Sequence, residues 1–177
     1  MKHIVVSIKP QYVAKILNGE KTLEVRKSAP KEVLKGEECL VEIYCTKGKT
    51  LYKTAESNEY LEYASFEHWS NDDIKINGTV VANFTLNRVN QYGYVYSPAM
   101  FVSEYRKIEN DNFTSEKFDY KSSCLSSEEL LNYTNDEKLL PRPFFGWHID
   151  DLEIYDKPKQ LEEFRLKRAP QSWCYIN

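Results

Sequence analysis

Lys21, Glu24 and Arg26 fall within six positions of one another, directly after Gly19. A carboxylate set between two cations supports three kinds of chemistry. It can form a structural ion pair that satisfies a partly buried site. It can accept hydrogen bonds from a nucleobase edge while the arginine meets a phosphate or stacks. It can also move a proton, with Glu24 as general base. Lys21 has the same breadth: a surface charge, a phosphate ligand, or a base if it sits at an apolar mouth.

The tail from Arg165 to Tyr175 interleaves cations with aromatics, including Lys167, Arg168 and Trp173. That composition suits a surface that grips single-stranded nucleic acid by charge and stacking. It suits equally well a terminal strand whose Trp173 and Tyr175 close a core beneath solvated cations. Trp147 is expected in the core. His148, on the opposite side of its strand, is a satisfied structural histidine or a proton carrier. The Gly48-Lys-Thr triplet lacks the earlier glycine of a phosphate loop. Cys39, Cys45, Cys124 and Cys174 show neither Cys-x-x-Cys nor zinc-ligand spacing, so reduced thiols are expected and neither metal nor cofactor.

The elements that must position these residues follow from periodicity. Residues 3–9 alternate as a strand. Pro10 suits a helix's first turn, Tyr12, Val13, Ile16 and Leu17 form one apolar stripe, and Gly19 suits the residue after the cap. A strand from Lys21 to Lys27 puts Leu23 and Val25 on one face, with Lys21 at its end, and Thr22, Glu24 and Arg26 on the other. Cys39–Thr46 and Thr79–Asn90 are further strands. Residues 51–77 are expected to be an insertion, partly helical over Glu56–Trp69. Pro98–Lys107 is expected as a short helix packing Met100, Phe101 and Tyr105, and Asn110–Ser123 as loop. Ser126 and Glu129 form a capping box that starts a helix to about Tyr133, with Leu130, Leu131 and Tyr133 inward. Phe144–Tyr155 is expected as one long strand, bulged near Asp150-Asp151, and Ser172–Ile176 as the last strand.

This order predicts an α+β fold: a small curved or closed β-barrel with an early helix packed on it, and helical insertions. The 177 residues suffice for one domain over 1–177, with insertions near 51–77 and 96–142. A net charge of −3 argues against a generally basic nucleic-acid binder and leaves room for a local patch. No apolar stretch approaches membrane-helix length, and the start of the chain lacks a signal-peptide core, so the cytoplasm is the expected location.

Gly19-Glu-Lys-Thr-Leu-Glu-Val-Arg resembles the Gly-x-Lys-x-x-Glu-x-Arg signature of ASCH domains. Ser7-Ile-Lys-Pro, Glu42-Ile-Tyr-Cys-Thr-Lys-Gly, Gly146-Trp-His-Ile-Asp-Asp and Lys167-Arg-Ala-Pro-Gln-Ser-Trp are also similar to ASCH proteins common in phages and prophages. The resemblance implies a PUA-like barrel. It also implies a family linked to RNA binding, to hydrolysis of acylated cytidine nucleosides and to RNA cleavage. In the hydrolytic branch a threonine follows the motif lysine by three positions, where this chain has Glu24. The expected function is therefore binding of single-stranded RNA or a modified nucleotide in a cleft at the motif. Lys9, Lys21, Glu24, Arg26, Lys167, Arg168, Ser172 and Trp173 would be its ligand-binding residues. The alternatives are a nucleoside amidohydrolase or ribonuclease using Lys21 and Glu24, and a protein-interaction module using the aromatic segment Tyr52–Trp69.

Overall fold

The computed structural model describes residues 1–54, 57, 59–62, 73–100, 102–135 and 141–176. The chain starts as expected. Strand β1 (Lys2–Ile8) runs into helix α1 (Pro10–Leu17), with proline in the first turn. The helix ends at Asn18, and Gly19 follows at φ +78°, a conformation that glycine adopts without a Cβ penalty. Strand β2 (Leu23–Arg26) comes next, then a helical turn α2 (Lys31–Leu34) and β3 (Cys39–Cys45).

A small three-stranded sheet follows: β4 (Leu51–Lys53), β5 (Tyr60–Glu62) and β6 (Ile74–Lys75). The expected helical segment Glu56–Trp69 lies largely outside the described residues, and its described part at Tyr60–Glu62 is strand. Then come β7 (Val80–Leu86), β8 (Val89–Ser97), β9 (Val102–Glu109) and β10 (Asn112–Lys117). Helices α3 (Tyr120–Ser123) and α4 (Ser127–Thr134) precede β11 (Phe144–His148), β12 (Asp150–Lys159) and β13 (Trp173–Ile176).

Two expectations between residues 98 and 123 are corrected. The region read as helix and loop is the β9–β10 hairpin, with only a short 3-10 turn at Pro98–Met100. Asn110 and Asp111 take φ +49° and +62°, the left-handed pair that a two-residue hairpin turn requires. Phe101 lies outside the described residues.

The barrel is also corrected. Two five-stranded sheets, in the orders β12-β7-β3-β1-β13 and β10-β9-β8-β11-β2, each keep two open edges. The chain passes between them at two corners. β7 and β8 belong to different sheets, parted at Asn87-Arg88, and β11 and β12 are parted at Ile149, so each expected long strand is two. Strands that change sheet at a bend are typical of orthogonal packing. Asp151, at φ +49°, marks the irregularity anticipated near Asp150-Asp151.

Closure fails at β2. Among the described residues its one ladder is with β11, and its other edge lies against the α3–α4 segment: Thr22 N donates to Ser122 O at 2.9 Å, and α3 packs on β2. A helix laid along a strand edge removes the unpaired backbone that would otherwise recruit another strand.

The largest core lies between α1 and the first sheet and contains Ile4, Val6, Val13, Ile16, Val41, Ile43, Phe84 and Trp147. A second core joins the second sheet to the α3–α4 segment through Leu23, Val25, Tyr92, Phe118, Leu130 and Phe144. Gly146 allows close packing there: a Cβ would sit 3.1 Å from both Leu23 and Tyr92 side-chain atoms, which would have to shift slightly to admit it. Among the described residues no helix is long and apolar enough to cross a membrane.

Candidate functional site

Lys21, Glu24 and Arg26 are brought together, and all three are buried, at 2%, 6% and 8% exposure. Glu24 sits between the cations: Lys21 Nζ is 3.3 Å from one oxygen and Arg26 Nη2 is 2.9 Å from the other. Lys21 is not on β2, so strand parity does not govern it. Its side chain turns to Glu24's side and donates to Leu23 O at 2.7 Å and Ser123 O at 2.6 Å. An ammonium has three donors and no acceptor, so this set engages it fully.

Arg26 bridges the gap where a closed barrel would have a backbone ladder. Nη2 donates to Ser7 O of β1 at 2.7 Å, and Nη1 reaches Ser172 Oγ at 3.4 Å. The tail is fastened beside it: Ser7 N donates to Ser172 O at 2.9 Å, and Ser7 Oγ donates to Pro170 O at 2.6 Å. Arg26 Nε is buried and has no hydrogen-bond partner among the described residues. Such an orphan donor costs the desolvation of an N–H without return and is rare in folded proteins.

Two tyrosines beside the triad were not anticipated as site residues. Tyr12, read as core stripe, has its ring centroid 5.5 Å from Lys21 Nζ and donates its hydroxyl to Glu129 at 3.2 Å. Burial, reinforced by the Glu129 and Glu24 charges, pushes its phenol up to about 12. Tyr133, on α4, is 36% exposed and has Lys27 Nζ 5.1 Å from its ring centroid. Burial raises its phenol too, with Arg26 opposing and Glu24 adding. The capping box of α4 is present as expected, and its Glu129 is the residue that meets Tyr12.

The other expected site residues stand apart. Lys9 caps α1 through its backbone, and its side chain is exposed. Lys167 and Arg168 are exposed on the rim of a recess of about 610 Å³ lined by residues 165–171 and Cys174. None of these three shares a hydrogen bond or ion pair with the triad among the described residues. Ser172 meets the triad through Arg26 alone. Trp173 packs edge to face on Trp147, centroids 5.8 Å apart, and both indole N–H groups converge on Ser28, one on its carbonyl and one on its hydroxyl. Thr22 is exposed.

His148 holds a corner of the fold. Arg88 Nη2 lies 2.9 Å from its Nδ1, and the Asn90 amide lies 3.1 Å from its Nε2. Arginine can only donate, so Nδ1 accepts and the ring is neutral. Burial and the Arg88 charge lower its pKa accordingly. Among the described residues no cluster could hold a metal ion, and the four cysteines are free.

Residues 6–88, which contain the whole triad, match the ASCH domain family. The match covers a little under half of the chain, and over that stretch the chain is similar to ASCH domains. The crystal structure of ASCH from Zymomonas mobilis superposes on this chain with a TM-score of 0.56 at 17% identity, covering 99% of this chain and 88% of that one. A variant of the Zymomonas mobilis protein with a serine replaced by alanine gives 0.57 at 16% identity, covering 99% and 89%. One with a tyrosine replaced by phenylalanine gives 0.55 at 16% identity, covering 100% and 91%. At these identities the likeness establishes a shared fold. Comparison with curated proteins gives no match.

Proposed function

We propose that this protein binds single-stranded RNA or a modified nucleotide at Lys21, Glu24 and Arg26, with Lys9, Lys167, Arg168, Ser172 and Trp173 at the rim. The observation that carries this reading is the state of Arg26. Two cations share one carboxylate in a buried site, and Arg26 Nε has no acceptor. Buried charge without full compensation favours an incoming anion, and a phosphate oxygen supplies both the charge and the missing acceptor. Ser172, exposed and only 3.4 Å from the guanidinium, lies on the side from which such a group would enter. The exposed cations beside the recess suit further phosphates along a strand.

The test is titration with a short single-stranded RNA and with a panel of modified nucleotides, each followed by product mass. Arg26→Gln is expected to weaken every ligand at least about tenfold, with the RNA recovered intact. Unchanged affinity in Arg26→Gln refutes the site, and a mass change in the RNA replaces binding with catalysis. Lys167→Ala with Arg168→Ala is expected to lower the salt dependence of RNA binding by about 0.7 per cation removed and to leave mononucleotide affinity unchanged.

A further inference from the structure

We propose that Tyr133, supplied by the segment between the core strands, is the base-stacking platform of this site, an inference that rests on the nucleotide-binding reading above. Helix α4 faces its core with Leu130 and Thr134, 0% and 2% exposed and four residues apart on one face. Tyr133 lies outside that stripe and leaves 36% of its surface exposed. It stands beside the edge of β2, where the Lys27 amide faces its hydroxyl and both Arg26 and Glu24 act on it electrostatically. The group over its ring is the ammonium of Lys27, an exposed and flexible side chain, 5.1 Å from the centroid.

A nucleobase can displace that ammonium from the ring face, and the lysine stays close enough to meet the attached phosphate. Base and phosphate would then be received by adjacent residues: the base by Tyr133, the phosphate by Arg26 and Lys27. Helix α4 therefore does more than face its core, because it carries the residue that distinguishes a nucleotide from a bare phosphate. Tyr12 braces it from α1 through the hydrogen bond to Glu129, which fixes the platform relative to the triad.

The experiment compares an oligoadenylate with an abasic ribose-phosphate oligomer of equal length, by calorimetry on the full chain. The wild type is expected to prefer the oligoadenylate by about tenfold or more. Tyr133→Leu should abolish that preference without changing affinity for the abasic oligomer, and Tyr133→Phe should keep it. A preference that survives in Tyr133→Leu overturns the platform. Arg26→Gln separates the two claims: it should weaken both oligomers alike, and if it weakens neither, the phosphate site itself is wrong. A wild type that binds neither oligomer overturns both. Crosslinking of a thiouridine-labelled oligomer to the wild type gives the answer without a variant. Adduct on the peptide containing Tyr133 supports the platform, and adduct confined to other peptides overturns it.

Discussion

Glu24 is the residue on which the buried site depends. It is the only carboxylate contacting Lys21 and Arg26 among the described residues, and without it two buried cations would face neutral groups. Removing one partner of a buried ionic set is costly, because the survivor keeps its desolvation penalty and loses its compensation. Glu24→Gln is therefore expected to destabilise the fold by about 3 kcal/mol or more, measured by urea unfolding. Lys21→Met should cost about 1–3 kcal/mol, since Glu24 keeps Arg26 and the main loss is the donor to Leu23 O and Ser123 O. The reverse order would mean that Lys21, not Glu24, is the organising charge. At this scale the sequence was informative about type and poor about place. The spacing of Glu24 and Arg26 on a strand put them on one face, as found. The position of Lys21 followed from its carbonyl partners, one of them on α3 about a hundred residues away. Tyr12 and Tyr133 carried no local signal of their own, because an aromatic at helical spacing looks the same on a core stripe as beside a charged site.

Helix α4 could be found from its cap alone. Ser126 accepts from Glu129 N at 3.1 Å, and the Glu129 carboxylate accepts from Ser126 N at 2.8 Å, the reciprocal pair implied by residue types three apart. What α4 packs against was not legible, and Leu131 and Tyr133, both expected inward, are 40% and 36% exposed. The β9–β10 hairpin was missed for a different reason. Its strands are rich in charge, with Glu104 pairing Arg106 and Lys117, and Lys107 pairing Glu109 and Glu116. Ion pairs along β9 and across to β10 thus replace the apolar alternation by which strands are usually recognised. The Asn110-Asp111 pair was the remaining clue. Because α4 follows directly on α3, which covers the edge of β2, and because α4 braces Tyr12, loosening its cap should reach the site. Ser126→Ala is expected to cost about 1 kcal/mol and to speed hydrogen exchange in α4 and at the Thr22 amide, which donates to Ser122 O. Faster exchange in α4 with Thr22 unchanged would show that the helix and the strand edge open independently.

The two sheets and their corners set how the whole molecule answers to pH. Periodicity identified most strands, but not the corners: the alternation of Ala82, Phe84 and Leu86 gives way to Arg88 and Asn90 at the same parity, and that break carries no sign that the chain is changing sheet. The barrel expectation failed with them: nothing local to β2 reveals that a distant segment will cover its edge. Packing two sheets and a helical segment together buries many tyrosines. The phenols of Tyr12, Tyr44, Tyr60, Tyr92, Tyr105, Tyr120, Tyr133, Tyr155 and Tyr175 are all raised, with burial the first cause in each. A phenol raised in the folded state holds its proton more tightly there than in the unfolded chain. Its contribution to stability is complete below the unfolded value of 10.0 and is lost as pH rises through the folded value, about 12 for Tyr12. The buried thiols of Cys39 and Cys45 shift the same way, Cys45 to about 12. The shifted carboxylates, at Glu32, Glu104, Asp119 and Glu129, are all lowered and act at the acid end. Unfolding free energy is therefore expected to fall steeply between about pH 10 and about pH 12, measured by urea titrations across that window. Tyr12→Phe removes one of the titrating groups and should make the fall shallower by that group's share, while also freeing Glu129 from its hydroxyl partner. A variant whose alkaline slope equals that of the wild type would mean that Tyr12 ionises freely in the folded state and that the Tyr12–Glu129 brace between α1 and α4 does not hold.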